Sequence, residues 1–544
     1  METVVLVLAM LLAVVASGYV ARALPIPVPL PLVQIAMGAV IAGALEKGIV
    51  LDPAMFFLLF LPPLLFLDGW RIPNYGLLRD KATILELALG LVVFTVIGVG
   101  FLIHWMIPAM PLPVAFALAA IVSPTDAVAV SSIAARTPMP RRLLHVLQGE
   151  SLLNDATGLV CFRFAVAAAM TGTFSIASAS LTLLWVSLIG VAIGVAVTVG
   201  VTATQMALSG RFGEETGTPI LLNLLLPFGA YLLAEHFDAS GILAAVAAGI
   251  TMSYVELTGR APPTTRVDRA AVWDTAQFAL NGIVFVLLGE QLPGILSGAV
   301  ISVEESGHLN PWWLAVYALA INFGLALLRF AWVAVSLRLS HFAARRRGEP
   351  VASPHWRMVA AASLAGVRGA ITLAGVMTLP LLMPDGAPFP ARDLAIFLAT
   401  AVILVSMVVA SVGLPRMLRG LELPEEQAER LAEEQARRDA AVAAIAAMEK
   451  ALHDPAVMPA DAEAHRSAAA RVIARYQRRL DGVAPAGATA GQRRKAAQVE
   501  QALFLAALHA EREEIFGLAR QSRISDEIAR KLVREVDLVE ARYR

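Results

Sequence analysis

The sequence predicts an all-α polytopic membrane protein of about thirteen transmembrane helices, followed by a soluble helical domain. Three observations carry this. Apolar runs of about twenty residues, the length a helix needs to cross a bilayer, recur from the start to about residue 420. Basic residues cluster in every second loop between those runs. Composition then changes sharply to a charged, Ala-rich helical pattern. The chain has 544 residues, of which 58% are hydrophobic and 16% charged, and its mean hydropathy is +0.70. A soluble chain of this length carries more charge.

The apolar runs fall near residues 2–21, 28–46, 51–69, 82–107, 111–135, 142–171, 176–208, 217–236, 239–256, 270–297, 311–337, 356–383 and 393–415. The first begins Met1-Glu2 without the positive flank of a signal peptide, so it reads as a retained span. Loops after odd-numbered spans carry Arg71, Arg79 and Lys81; Arg136, Arg141 and Arg142; Arg211; Arg260, Arg266 and Arg269; and Arg345, Arg346, Arg347 and Arg357. Loops after even-numbered spans hold little beyond Lys47 and Arg392, and one holds Glu304 and Glu305. The asymmetry puts the N-terminus outside and the C-terminal tail in the cytoplasm of a cell (plasma or inner) membrane.

Two domains follow: residues 1–420 in the membrane, and 421–544 as a cytoplasmic helical domain for regulation or interaction. Leu423-Pro424-Glu425-Glu426 resembles a helix start. Ala484 to Gly491 is a flexible break. Beyond it, Leu503, Phe504, Ala507, Leu508, Ile515 and Phe516 recur at helical spacing, and Ser525 caps a last helix with Ile528, Leu532 and Val536 on one face. The charges of this tail read as a solvated surface.

Some function classes drop out. A formal net charge of +0 gives no pointer to nucleic acid. One cysteine, Cys161, excludes an internal disulfide and a cysteine metal cluster, and in an apolar helix it reads as a small packed residue. No Gly-rich phosphate loop appears, so no nucleotide or other cofactor is expected.

Polar groups inside the spans each need a reason, because a charge at the centre of a membrane helix costs at least a few kcal/mol. The sixth span contains Gly149-Glu150-Ser151-Leu152-Leu153-Asn154-Asp155. Glu150, Ser151, Asn154 and Asp155 share roughly one face. A hydroxyl and a carboxylate one turn apart offer oxygen to a small hard cation; the competing reading is a polar network that glues helices together.

In the fifth span, Ser123-Pro124-Thr125-Asp126 places a proline at mid-membrane. Pro124 cannot donate to the Ala120 carbonyl, so the helix should break or kink there. A break frees carbonyls, tolerated only where the backbone lines a cavity; the alternative is a simple kink capped by Asp126. The twelfth span carries Gly366-Val367-Arg368-Gly369, a second candidate break. Seven spans separate the two, so they run in opposite directions, as in an inverted-topology repeat. Arg368 offers fixed positive charge to the helix ends.

Arg329, well inside the eleventh span, needs a buried acid, and Glu150 is the one assigned to it. Arg163 with Glu290 is a second expected pair. Both pairs read as holding the fold. Asp68, after Pro62-Pro63 in the third span, either lines the cytoplasmic mouth of the site or pairs with Arg71.

At these residues the chain resembles the Na+/H+ exchanger family, which includes bacterial NhaP-type antiporters and animal exchangers. The resemblance covers roughly residues 1–420. Its most specific element is Gly149-Glu150-Ser151-Leu152-Leu153-Asn154-Asp155; Ser123-Pro124-Thr125-Asp126 and Gly366-Val367-Arg368-Gly369-Ala370-Ile371 resemble the family's two discontinuous crossing helices. It implies a homodimer with a mobile core domain and a dimerising domain. It also implies that Asp155 alternately binds cation and proton, and that neutral Asn154 goes with electroneutral exchange. Ser151, Asp126 and the Thr125 carbonyl would line the site, and Glu150 and Arg329 would form a structural pair. In relatives the acid after Pro-Pro stands one residue earlier, where this chain has Leu67.

The function expected is secondary active exchange of Na+ (or Li+ or K+) for H+, one for one, by competition for Asp155. Burial disfavours the charged carboxylate and a bound cation favours it. A cation channel, or an ion-binding membrane sensor, would use the same helices without needing obligatory exchange.

Overall fold

The computed structural model describes residues 2–25, 28–44, 53–72, 80–126, 130–131, 139, 141–172, 176–212, 217–257, 263–305, 312–346, 356–419, 435, 439, 441–450, 469–474, 477, 505, 507–515 and 526–541. They are helical throughout, apart from turns, helix interruptions and one isolated bridge between Leu382 and Pro388. The chain divides into two compact units, Met1–Glu422 and Leu423–Arg544.

In the first unit the helices are α1 (Glu2–Ala23), α2 (Leu30–Ala44), α3 (Pro53–Arg71), α4 (Lys81–Leu85), α5 (Val92–Met106), α6 (Leu112–Val122), α7 (Arg141–Thr171), α8 (Ile176–Phe212), α9 (Gly217–His236), α10 (Gly241–Leu257), α11 (Pro263–Glu305), α12 (Trp312–Arg346), α13 (Trp356–Leu364), α14 (Ala370–Met377) and α15 (Arg392–Leu418). A wide π turn, Glu86–Leu91, joins α4 to α5 in one continuous rod. Among the described residues, seven helical stretches are long and apolar enough to cross a bilayer. Their outer faces are apolar too: on α8, Leu181, Leu184, Trp185 and Leu188 are exposed. Such a surface suits lipid rather than water.

The helices pack in two sets. α3, α8, α9, α10 and α11 share a core around Phe66, Leu67, Leu226, Ala244 and Trp273. α5, α6, α7, α12, α13, α14 and α15 make the other set, with the fully buried Val114, Ala120, Leu325, Ala361 and Leu398 at its centre. α11 packs on α15 and touches α14, and α3 touches α7 and α14, so the two sets meet along α11 and α3.

Two helices are interrupted where the sequence predicts. α6 stops at Val122, one residue before Ser123-Pro124. α13 stops at Leu364, and α14 begins at Ala370. Other expectations need correction. α11 starts at Pro263 and runs to Glu305, so Arg266 and Arg269 are not loop charges but lie on its first turns, and Glu304 and Glu305 belong to its last. Arg269 is 4% exposed. A charge near a helix end looks like a loop charge in sequence, because hydropathy cannot see the neighbour that covers it.

In the second unit, helix α16 (Asp526–Ala541) presents Leu532, Val533 and Val536 to Leu508 and Ile515. Arg512 bonds Glu540 and lies 2.7 Å from Asp537, tying the pair of helices together. The helix start at Leu423–Glu426, the break from Ala484 to Gly491, Leu503, Phe504, Phe516 and the Ser525 cap lie outside the described residues, as do Lys47, Arg79, Arg136, Arg260 and Arg347.

Candidate functional site

The two interruptions bond to each other through the backbone. Asp126 donates its N–H to the Val367 carbonyl at 2.7 Å. In the other direction, Arg368 Nε donates to the Val122 carbonyl at 2.9 Å, at the C-terminal end of α6. That end has carbonyls without intrahelical donors, since Pro124 has no N–H to offer. The same guanidinium bonds the Gly366 carbonyl, and the Arg368 N–H donates to Ser406 Oγ at 3.2 Å on α15. The cation thus serves the negative end of one broken helix from within the break of the other.

Close approach at this joint depends on two glycines. A Cβ at Gly369 would overlap the Asp126 carboxylate. A Cβ at Gly158, on α7 one turn past Asp155, would fall 2.9 Å from the Ala120 carbonyl oxygen and 2.3 Å from Pro124 Cγ. The glycine therefore lets α7 press against the proline break.

α7 presents its polar face to that joint. Glu150, Ser151, Asn154 and Asp155 are all buried, and so are Thr125 and Ser123. A chain of bonds runs through them. Arg329 on α12 grips Glu150 with two parallel bonds, 2.5 Å to Oε1 and 2.7 Å to Oε2, and donates Nε to the Ala362 carbonyl at 3.0 Å. Thr125 donates its hydroxyl to Glu150 Oε1 at 3.2 Å. Asn154 Nδ2 donates to the Thr125 hydroxyl oxygen at 2.9 Å. The Glu150–Arg329 assignment made from burial thus has its geometry, and Glu150 is committed to Arg329 and Thr125.

One acceptor is left over. Asn154 Oδ1 is buried with no hydrogen-bond partner among the described residues. A buried acceptor without a partner normally costs about 1–3 kcal/mol, so it calls for a donor or a cation. The Asp155 carboxylate is adjacent. Asp126, in the α6 break, and Asp68, on α3, lie near enough for their charges to act on it. Among the described residues no group of three His, Cys, Asp or Glu has the arrangement of a metal centre. The chemistry is oxygen-rich and suits a hard monovalent ion.

The charges of both Asp126 and Arg71 act on Asp68, so both readings of it stay open. Arg71 is bonded elsewhere, to Asp274 and, at 2.7 Å, to Gln277, both on α11. Leu67, the neighbour of Asp68, is fully buried.

The expected Arg163–Glu290 pair does not form. Arg163 lies 3.9 Å from Glu235 on α9, with two thirds of its side chain exposed. Glu290 is buried where α11 packs on α2, its backbone beside Gly38. Sequence gave both residues a similar depth, but not the side of the helix each occupies. Sequence reasoning also missed the Thr125 hydroxyl as the link between Asn154 and Glu150, having considered only its carbonyl. A partly buried Trp70–Glu256–Arg269 cluster went unseen as well; a charge beside an apolar run, as at Glu256, was the only signal.

Comparison with known proteins decides the class. The profile of the transmembrane sodium/hydrogen exchanger family matches residues 8–420. The chain belongs to the sodium/hydrogen exchanger family. It is a multi-pass membrane antiporter that exchanges a monovalent cation for a proton, and not an enzyme. It is 41% identical over 543 residues to the Na+/H+ exchanger YjcE of Escherichia coli strain K12, with 99% of each chain covered. It is also 41% identical over 420 residues to a sodium, potassium, lithium and rubidium/H+ antiporter of Bacillus subtilis, covering 76% of this chain and 61% of that protein. Among solved structures, the sodium proton antiporter MjNhaP1 of Methanocaldococcus jannaschii at pH 8 superposes with a TM-score of 0.58 at 18% identity, over 77% of this chain and 99% of that one. At that identity the likeness speaks for the exchanger fold alone.

Proposed function

We propose that this exchanger carries Na+, with Li+ and K+ as further substrates, against one H+ by competition at Asp155. The observation that carries the reading is Asn154 Oδ1: a buried, unpartnered acceptor beside a buried carboxylate. A cation at Asp155 would give that oxygen its missing partner, with Ser151 Oγ, the Thr125 carbonyl and Asp126 as further oxygen donors. Asp68 completes the acidic lining from α3. Without the cation, a proton neutralises Asp155. Asn154 does not titrate, which supports a one-for-one, electroneutral cycle. The ion breadth of the Bacillus relative supports testing all three cations.

In this reading about thirteen helices cross the membrane, with the two interruptions related by an inverted repeat. Reciprocal bonding between the breaks supports it. Loop charges support an external N-terminus and a cytoplasmic tail in the plasma or inner membrane. Residues 1–420 form the antiporter and 421–544 a cytoplasmic regulatory domain; the boundary between the compact units supports the division. A homodimer and a role in pH homeostasis complete the proposal.

The test is exchange in proteoliposomes. Wild type should dissipate an imposed pH gradient when Na+ is added and Asp155→Asn should not; wild-type rates in Asp155→Asn would overturn the assignment.

A further inference from the structure

Three residues at the Arg71 end of α3 form a closed polar clamp. Trp70 Nε1 donates to Glu256 Oε2 on α10 at 2.7 Å. Arg269 on α11 donates Nη2 to Glu256 Oε1 at 2.6 Å. The Arg269 guanidinium also lies over the Trp70 ring, 5.2 Å from its centroid. Each residue thus touches the other two, and they come from three different helices.

The clamp sits on an aromatic base. Phe66 and Trp70 are one turn apart on α3, and both rings meet Trp273 of α11, with centroids 5.5 and 6.4 Å away. Trp273 is fully buried, and its Nε1 donates to Asn223 Oδ1 on α9 at 2.6 Å. The Arg269 side chain is buried and that of Glu256 is 28% exposed; burying an arginine is costly unless hydrogen bonds and stacking complete it. Here they do, apart from Arg269 Nε, which is buried without a partner among the described residues. The expense suggests a purpose other than stability.

Helix geometry indicates that purpose. At about 100° per residue, Phe66 and Trp70 point to nearly the same side of α3, and Asp68, midway between them, points to the opposite side. The clamp grips the side of α3 turned to α10 and α11. Asp68 is on the side turned to α7 and α14, where its charge reaches Asp126. Turning α3 by half a residue would carry Asp68 away from that side; at the same end of the helix Arg71 bonds Asp274 and Gln277.

We propose that Trp70, Glu256 and Arg269 are positioning residues for cation binding: they fix the rotation of α3 and so aim Asp68 at Asp126 and Asp155. This rests on Asp68 belonging to the cation site, as read above. In this exchanger, then, the acid on α3 is set by a clamp outside the site.

The experiment measures Na+ dependence of exchange by the full-length protein in proteoliposomes, for wild type, Glu256→Gln, Asp68→Asn and the double variant. Expected is a rise of about fivefold in half-saturating Na+ for Glu256→Gln, within the coupling range of neighbouring residues, with the maximal rate nearly kept. The double variant should be no worse than Asp68→Asn alone. Effects that multiply, or a loss in maximal rate alone, would overturn the proposal. Arg269→Lys keeps the charge but loses the planar stack on Trp70. It should raise half-saturating Na+ in folded protein, and a wild-type value there also overturns the proposal, even where Glu256→Gln fails to fold. If Asp68→Asn leaves half-saturation unchanged, the clamp has nothing to aim and the proposal falls, while the role of Asp155 stands or falls on its own variant.

Discussion

Arg329 and Glu150 face each other across α12 and α7 with both nitrogen–oxygen bonds made, and neither side chain is more than 3% exposed. Glu150 immediately precedes Ser151 and also accepts from Thr125. An ion pair therefore underlies the wall of the site. Removing one member of such a pair leaves a bare buried charge, at a cost of about 3–5 kcal/mol. Glu150→Ala should sharply lower the yield and melting temperature of purified protein. A variant as thermostable as wild type would show that the pair does not hold α7 to α12.

Competition at one carboxylate fixes the pH dependence. A proton neutralises Asp155 and excludes the cation, so acidification should raise half-saturating Na+ while leaving the maximal rate at saturating Na+ less affected. Where protonation dominates, the rise approaches about tenfold per pH unit for a single competing proton. Initial rates at several pH values and Na+ concentrations measure it. A half-saturation value indifferent to pH contradicts the shared site.

Asn154→Asp adds a second titratable group beside the first. Exchange should then move net charge and respond to an imposed membrane potential, which wild-type exchange should not. A potassium-diffusion potential in vesicles separates the two. Potential-dependent exchange by the wild type would refute the one-for-one stoichiometry.

Gly369→Ala places a methyl group into the Asp126 carboxylate. All three nearest atoms belong to the Asp126 side chain, so that side chain has to shift. Exchange should fall by at least tenfold, since displacing a group near the reaction by about 1 Å can cost on the order of a hundredfold. Gly366→Ala has a softer neighbour in the Arg329 side chain, 2.9 Å away at Cδ, and should lose less. Equal rates for wild type and Gly369→Ala would mean the Asp126 carboxylate is not needed where it stands.

Much of this was legible in sequence because the bilayer is an unforgiving solvent. Pro124 and the glycines about Arg368 announce broken helices, since lipid offers a freed carbonyl no partner. Arg329 announces an acid because it cannot shed its proton. What sequence lacks is azimuth. It could not tell that Arg163 turns to Glu235 while Glu290 is buried where α11 packs on α2, or that Arg269 is folded under Trp70 instead of standing in a loop. Nor could it show the Thr125 hydroxyl linking Asn154 to Glu150, because a hydroxyl's partners depend on how close the two backbones come.

The bond from Asp126 N–H to the Val367 carbonyl is made by main-chain atoms alone. It needs no particular side chain at either position, provided position 126 is not proline. The joint that holds the broken helices together is thus separate from the carboxylate that faces the ion. Mutation is free to retune ligand chemistry at position 126 without loosening the mechanical part that carries it, so selectivity and motion can evolve on separate schedules.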